Sequence, residues 1–137
     1  MMASAIDKQA STQKDLALLI GRILVGVLFL IAAYNKFKGY DGAIGYFTRL
    51  GVPAPSVTLP LVLIIETVGG LMLIVGFQAR LAALLLAVFV IVAALSAHMN
   101  FGDGNQLNHF LKNIAIAGGL LAFFVTGPGA YSLDARK

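Results

Sequence analysis

The sequence contains no cysteine. That excludes disulfides, thiolate metal sites, Cys-ligated iron–sulfur clusters and any thiol relay within the chain. It leaves the redox compartment open, because a chain without thiols suits either state. Charge is also scarce: 12% of residues are Asp, Glu, Lys or Arg, against about 25% in a soluble domain. Disorder is excluded too, since it needs low hydrophobicity and high charge. There is no phosphate loop, dinucleotide fingerprint, Ser-His-Asp order or zinc-ligand spacing. Redox chemistry here would need a bound cofactor or a partner protein.

What the chain has in excess is apolar surface. Of its 137 residues 59% are hydrophobic, and the mean hydropathy is +0.90. A chain this short makes one domain. At about 20 residues per crossing it supplies four membrane spans and little else. The net charge of +4 reads as membrane-side basic residues, so a lipid bilayer and no nucleic acid is the expected partner.

Residues 1–15 are polar, carry Lys8 and Lys14, and read as a tail that is helical near its end. A cleaved signal peptide fits poorly, because the apolar run that follows exceeds the roughly 7–15 residues of a signal core. Four apolar segments then stand out: Leu16 to Tyr34 with Arg22 inside, Leu59 to Phe77 with Glu66 inside, Leu81 to Ala97, and Asn108 to Thr126 with Lys112 near its start. Each is close to the length that crosses about 30 Å of hydrocarbon. The predicted fold is all-α, an integral membrane four-helix bundle of two antiparallel hairpins, occupying residues 16–134 and followed by a short tail at 135–137.

The connections differ in kind. Gln78, Ala79 and Arg80 make a tight turn between spans two and three. Between spans one and two, Asp41 is a candidate N-cap for a short helix that stops at Gly51 before Pro53 and Pro55. With Ile44, Tyr46, Phe47 and Leu50 beside Arg49, that helix is expected to lie in the membrane interface. Residues 99–107 form a polar loop between spans three and four. Val68-Gly69-Gly70-Leu71 echoes Ala117-Gly118-Gly119-Leu120, which suggests two hairpins in the same orientation. The four glycines are expected to allow close helix approach. Lys8, Lys14, Arg80, Arg136 and Lys137 lie at one end, against Lys36, Lys38 and Arg49 in the opposite loops. That bias puts both termini in the cytoplasm.

Ionisable residues inside spans cost roughly 2.5–3.5 kcal/mol each at the bilayer centre, so they mark function. By helical rise Glu66 lies about 10 Å below the loop-side boundary, Lys112 about 6 Å below it, and Arg22 about 9 Å in from the other side. Those depths predict that Glu66 pairs with Arg22, Lys112 or both inside the bundle. The alternative leaves both cations snorkelling outward and Glu66 protonated. Tyr34, Asn35, Lys36, His98, Asn100, His109 and Asn113 gather at the loop end. Glu66 and His98 are the candidate proton-exchanging residues, and Arg22, Lys112 and Asn113 the candidate ligand-binding ones. For Lys36, Asn100 and His109, contact with headgroups and water suffices. His98 and His109 flank one loop, but nothing in their spacing demands haem or another metal.

These residues together resemble the DoxX family of small four-span membrane proteins. The resemblance rests on Arg22, Asn35-Lys36-Phe37, Gly45-Tyr46-Phe47 and Leu50-Gly51-Val52-Pro53-Ala54-Pro55. It continues through Glu66, Gly69-Gly70, Arg80-Leu81-Ala82-Ala83, His98, Phe110-Leu111-Lys112-Asn113, Gly118-Gly119 and Gly127-Pro128-Gly129, covering about residues 16–134. It implies a protein of the prokaryotic cytoplasmic membrane. The family takes its name from a component linked to quinone-dependent thiosulfate oxidation, and some members are described as partners in membrane oxidoreductase assemblies. Three functions compete on this reading. One is a component of a quinone-linked redox system, with quinone as the cofactor and a membrane or peripheral redox protein as partner. Another is a non-catalytic scaffold or assembly subunit. The last is a small-solute or proton pathway, which four short spans would form as a homo-oligomer.

Overall fold

The computed structural model describes residues 2–97 and 102–136, and these form five α-helices and a terminal 3-10 turn. Helix α1 spans Met2–Lys38, α2 Tyr40–Arg49, α3 Pro55–Val75, α4 Ala79–Ala97 and α5 Gly104–Thr126. All but α2 are long and apolar enough to cross a membrane.

Helix α1 runs unbroken for 37 residues. The polar segment before Leu16 is therefore helical throughout, not only near its end. Its first 19 positions hold no Gly or Pro to stop the helix, which explains the continuity. Between α1 and α3 the expected short helix is present as α2. Its N-cap, however, is Gly39, and Asp41 sits in the first turn without making a cap bond. The stop is as expected. Gly51 adopts φ +76°, its N–H reaches the Thr48 carbonyl, and the Val52 N–H reaches that of Phe47, the two bonds of a Schellman ending.

The tight turn between α3 and α4 is built by Gly76, not by Ala79 and Arg80, which are already helical. Gly76 has φ +74°, and the Gly76 and Phe77 N–H groups close onto the Leu73 and Met72 carbonyls. Helix α5 starts at Gly104, earlier than the apolar pattern suggests, because the Asp103 carboxylate accepts from the Asn105 N–H at 2.9 Å and caps it.

Packing is most extensive between α1 and α3 and between α4 and α5, giving two antiparallel hairpins that meet along α3 and α4. One face of α1 carries Arg22, Gly26, Phe29, Ala33 and Lys36, alternating by four and three residues as a helix seam does. The matching buried face of α3 is Leu59, Glu66, Gly70 and Leu73. The core joins Phe29, Leu73, Leu86, Val90, Leu120 and Phe123 with small residues of α4 and α5. The outer faces stay apolar and exposed, as at Leu24, Ile64, Leu85 and Val125, which suits a lipid solvent.

The four glycines divide in their roles. A Cβ on Gly70 would sit 3.0 Å from the Gly26 carbonyl oxygen, and one on Gly69 would sit 2.9 Å from Leu86. Both therefore allow close approach. Gly118 and Gly119 meet nothing within 4 Å. The expectation that they bring helices together within this bundle is corrected: they lie on the outward face of α5.

Candidate functional site

The crossing of Gly26 against Gly70 sets the register of the first hairpin. It puts Arg22 opposite Leu73 and Ile74 near the end of the bundle that carries both termini. Glu66 precedes Leu73 by seven residues on α3, about 10 Å nearer the loop end by helical rise. Side chains lean toward the N-terminus of their own helix. On antiparallel helices, Glu66 thus leans toward the loop end, while Lys36, near the end of α1, leans into the bundle.

The two meet. Lys36 Nζ donates to both carboxylate oxygens of Glu66, at 3.0 and 3.1 Å. The Glu66 side chain is 4% exposed and that of Lys36 30%. The acid is enclosed, and the lysine forms its boundary. A charge-assisted, two-oxygen contact of this kind offsets part of the cost of holding a carboxylate away from water.

The predicted pairing of Glu66 with Arg22 or Lys112 is therefore corrected. Arg22 is wholly buried, and its guanidinium is taken up by main-chain carbonyls. Nε donates to Pro128 at 3.0 Å, Nη1 to Leu73 and Ile74 at 3.0 Å each, and Nη2 to Tyr131 at 2.5 Å. Two of these carbonyls belong to the last turn of α3, where the regular i to i+4 donors run out; the Leu73 oxygen also accepts a long bond from the Gly76 N–H. The planar fork of arginine meets several acceptors at once. Arg22 closes the end of the bundle, with four of its five N–H donors on main-chain carbonyls there and none on Glu66. Lys112 is exposed on α5, and neither it nor Asn113 is hydrogen-bonded to Glu66. Asn113 is half-buried and shares the inner stripe of α5 with Phe110, Ala117 and Leu120. Tyr34, Asn35 and His109 are exposed. His98 and Asn100 lie outside the described residues.

Lys36 is the residue that sequence reasoning missed. The available signal was its place in the four-and-three seam of Arg22, Gly26, Phe29 and Ala33. Counting α1 as ending at Tyr34 put Lys36 in a loop and hid that register. Two lipid-facing recesses flank the helices. One, of about 480 Å³ between α3 and α4, is lined by Ile65, Val68, Gly69, Met72 and Phe89. The other, of about 300 Å³ between α1 and α3, is lined by Leu30, Tyr34, Phe37, Leu63 and Thr67. Neither includes Glu66.

The residues after α5 form a strap over the terminal end. The Leu133 and Asp134 N–H groups bond the Val75 and Gly76 carbonyls at 3.0 and 2.9 Å. The Asp134 carboxylate accepts from the Gln78 and Ala79 N–H groups at 2.8 and 2.9 Å, capping α4 from a distant part of the chain. Asp15 holds the Ala130 N–H at 3.1 Å. The Arg80 guanidinium binds the Val125 carbonyl at 2.8 Å in the last turn of α5.

Comparison with known proteins fits this architecture. A family model described as DoxX matches residues 17–99. The chain is 42% identical over 121 residues to the inner membrane protein YqjF of Escherichia coli (strain K12), covering 88% of this chain and 92% of that protein. It is 34% identical to the inner membrane protein YphA of the same organism, over 90% of this chain and 91% of that protein. A more distant similarity, 27% over 85 residues and 62% of each chain, is to a Bacillus subtilis (strain 168) protein named "Putative oxidoreductase CatD". No solved structure matches the chain.

Proposed function

The chain belongs to the DoxX family of membrane proteins, and from that premise we propose that it is a membrane component of a quinone-linked oxidoreductase system. The observation that carries this reading is the Lys36–Glu66 pair: an enclosed carboxylate inside a membrane span, bonded to a lysine that stays partly exposed. Ionisable groups kept at such depth mark proton or ligand pathways. The name of the Bacillus relative agrees with the reading.

Reduction of a quinone to its quinol takes up two electrons and two protons. The electrons come from a redox partner protein. The Lys36 ammonium donates a hydrogen bond to a quinone oxygen and then its proton, Glu66 takes a proton from water and passes it to Lys36, and Asn113 on the inner face of α5 orients the ring. Lys112 belongs to the same proposal as a second cation at the loop end, and His98 as a second proton donor. Arg22 takes no part, because its guanidinium is held by main-chain carbonyls at the opposite end of the bundle.

The proposed setting is the cytoplasmic membrane of a prokaryote with both termini inside. Arg80 is bound to α5 and Lys36 to Glu66, which leaves Lys8, Lys14, Arg136 and Lys137 against Lys38, Arg49 and Lys112, still a cytoplasmic bias though a modest one.

The test is mass spectrometry of quinone retained after purification in mild detergent. The wild type is expected to retain quinone and an equally folded Glu66→Gln variant to lose it. Equal retention by both would contradict the reading. No retention by either, together with a stable partner in a native pull-down, would favour the scaffold.

A further inference from the structure

We infer that the polar interior around Lys36 and Glu66 is reached by water from the loop end of the bundle only, the terminal end being sealed by the strap. Access of water to the pair is independent of which ligand the site takes.

The seal has two layers. The outer one is the strap itself. Arg22 lies beneath it, wholly buried, and binds carbonyls of the strap at Pro128 and Tyr131 as well as of α3. Ser132 rests so closely on Gly76 that a Cβ at position 76 would come within 2.3 Å of the serine Cβ. Asp134 and Asp15 pin the strap at two further points. The inner layer is the apolar core, in which Leu73 and Phe123 pack level with Arg22 while Phe29 and Leu86 lie nearer the ion pair, against Gly70 and Gly69. Packed side chains of this kind leave no room for a file of water.

The opposite end differs. Along one face of α1, exposure of the two basic residues runs from nil at Arg22 to 30% of the side chain at Lys36. Glu66, deeper than Lys36, is 4% exposed. The lysine, two residues from the loop end of α1 and the more exposed of the two, is the outer member of the pair, and on this inference its contact with the aqueous phase. A proton leaving Glu66 enters the phase on the loop side, and a single bundle does not conduct from one face of the membrane to the other.

The cysteine-free sequence makes the test direct. Single cysteines are introduced in the full chain by Asn113→Cys and Lys36→Cys. Asp41→Cys reports the loop side and Lys8→Cys the terminal side, both being exposed positions. A membrane-impermeant maleimide is applied to right-side-out and to inverted vesicles. The expected result is that Asn113→Cys and Lys36→Cys are labelled from the side that labels Asp41→Cys and not from the other. Asn113→Cys keeps the ion pair, so the test survives if Lys36→Cys fails to fold. Labelling from the side of Lys8→Cys, from both sides or from neither would overturn the inference. Quinone retention is measured on the wild type and the side of labelling on the cysteine variants, so the two readings fail separately.

Discussion

Lys36 and Glu66 stand thirty residues apart in sequence, on antiparallel helices, with the lysine nitrogen 3.0 and 3.1 Å from the two carboxylate oxygens. The pair exists because the Gly26–Gly70 crossing sets the register and because side chains on opposed helices lean toward one another. Removing one partner leaves the other enclosed and unsatisfied.

Lys36→Met is therefore expected to destabilise the folded protein by about 1–3 kcal/mol, the range for a buried polar group stripped of its partner. Combining it with Glu66→Gln should recover part of that loss. Reversible unfolding in mixed micelles, run as a double-mutant cycle, measures the coupling. Strictly additive losses would show that the two side chains do not interact.

At the terminal end, Arg22→Lys keeps the charge but loses the fork that meets carbonyls of α3 and the strap. A loss of about 1.5–3 kcal/mol is expected, the scale of a hydrogen bond to a charged group. The strap after Gly127 should become protease-sensitive at temperatures where the wild type resists. Limited proteolysis with a C-terminal epitope tag reads this. Unchanged protection would mean that Arg22 does not hold the strap.

Asp134→Ala removes the carboxylate that accepts from Gln78 and Ala79. The expected cost is about 1 kcal/mol, as for loss of a helix N-cap, with faster hydrogen exchange confined to the first turn of α4. Exchange that rises evenly through the chain would contradict a local capping role.

The glycines offer an internal comparison. Gly26→Ala drives a Cβ to 2.8 Å from the Gly70 carbonyl oxygen, and overpacking of this kind costs about 1–3 kcal/mol. Gly118→Ala and Gly119→Ala meet open space and should cost nothing, or raise thermal stability slightly, because alanine is the better helix former. Equal losses at all three positions would contradict the assigned packing.

These contrasts show where the sequence was legible. Four spans were readable because hydropathy alone decides whether a helix sits in oil. Glu66 and Arg22 stood out because charge in oil is costly. The partner of Glu66 was not readable from depths counted along each helix separately, since partner choice depends on how two helices slide past one another. That sliding is set by Gly26 against Gly70, a contact invisible within either helix. The strap was hidden for a similar reason. Gly127-Pro128-Gly129 marks the end of a span, but the pull of Arg22 on Pro128 and Tyr131 is a tertiary fact. The same holds for Gly118 and Gly119, whose composition suggested contact while their face of α5 points outward.

The central claim is that the Lys36–Glu66 pair is the contact point for quinone. A thermal-shift titration of the nanodisc-embedded protein with a short-chain quinone tests it most directly. The account predicts a saturable rise in Tm for the wild type that disappears in both Glu66→Gln and Lys36→Met while the variants still unfold cooperatively. An undiminished rise in both folded variants, or no rise in the wild type, would contradict it.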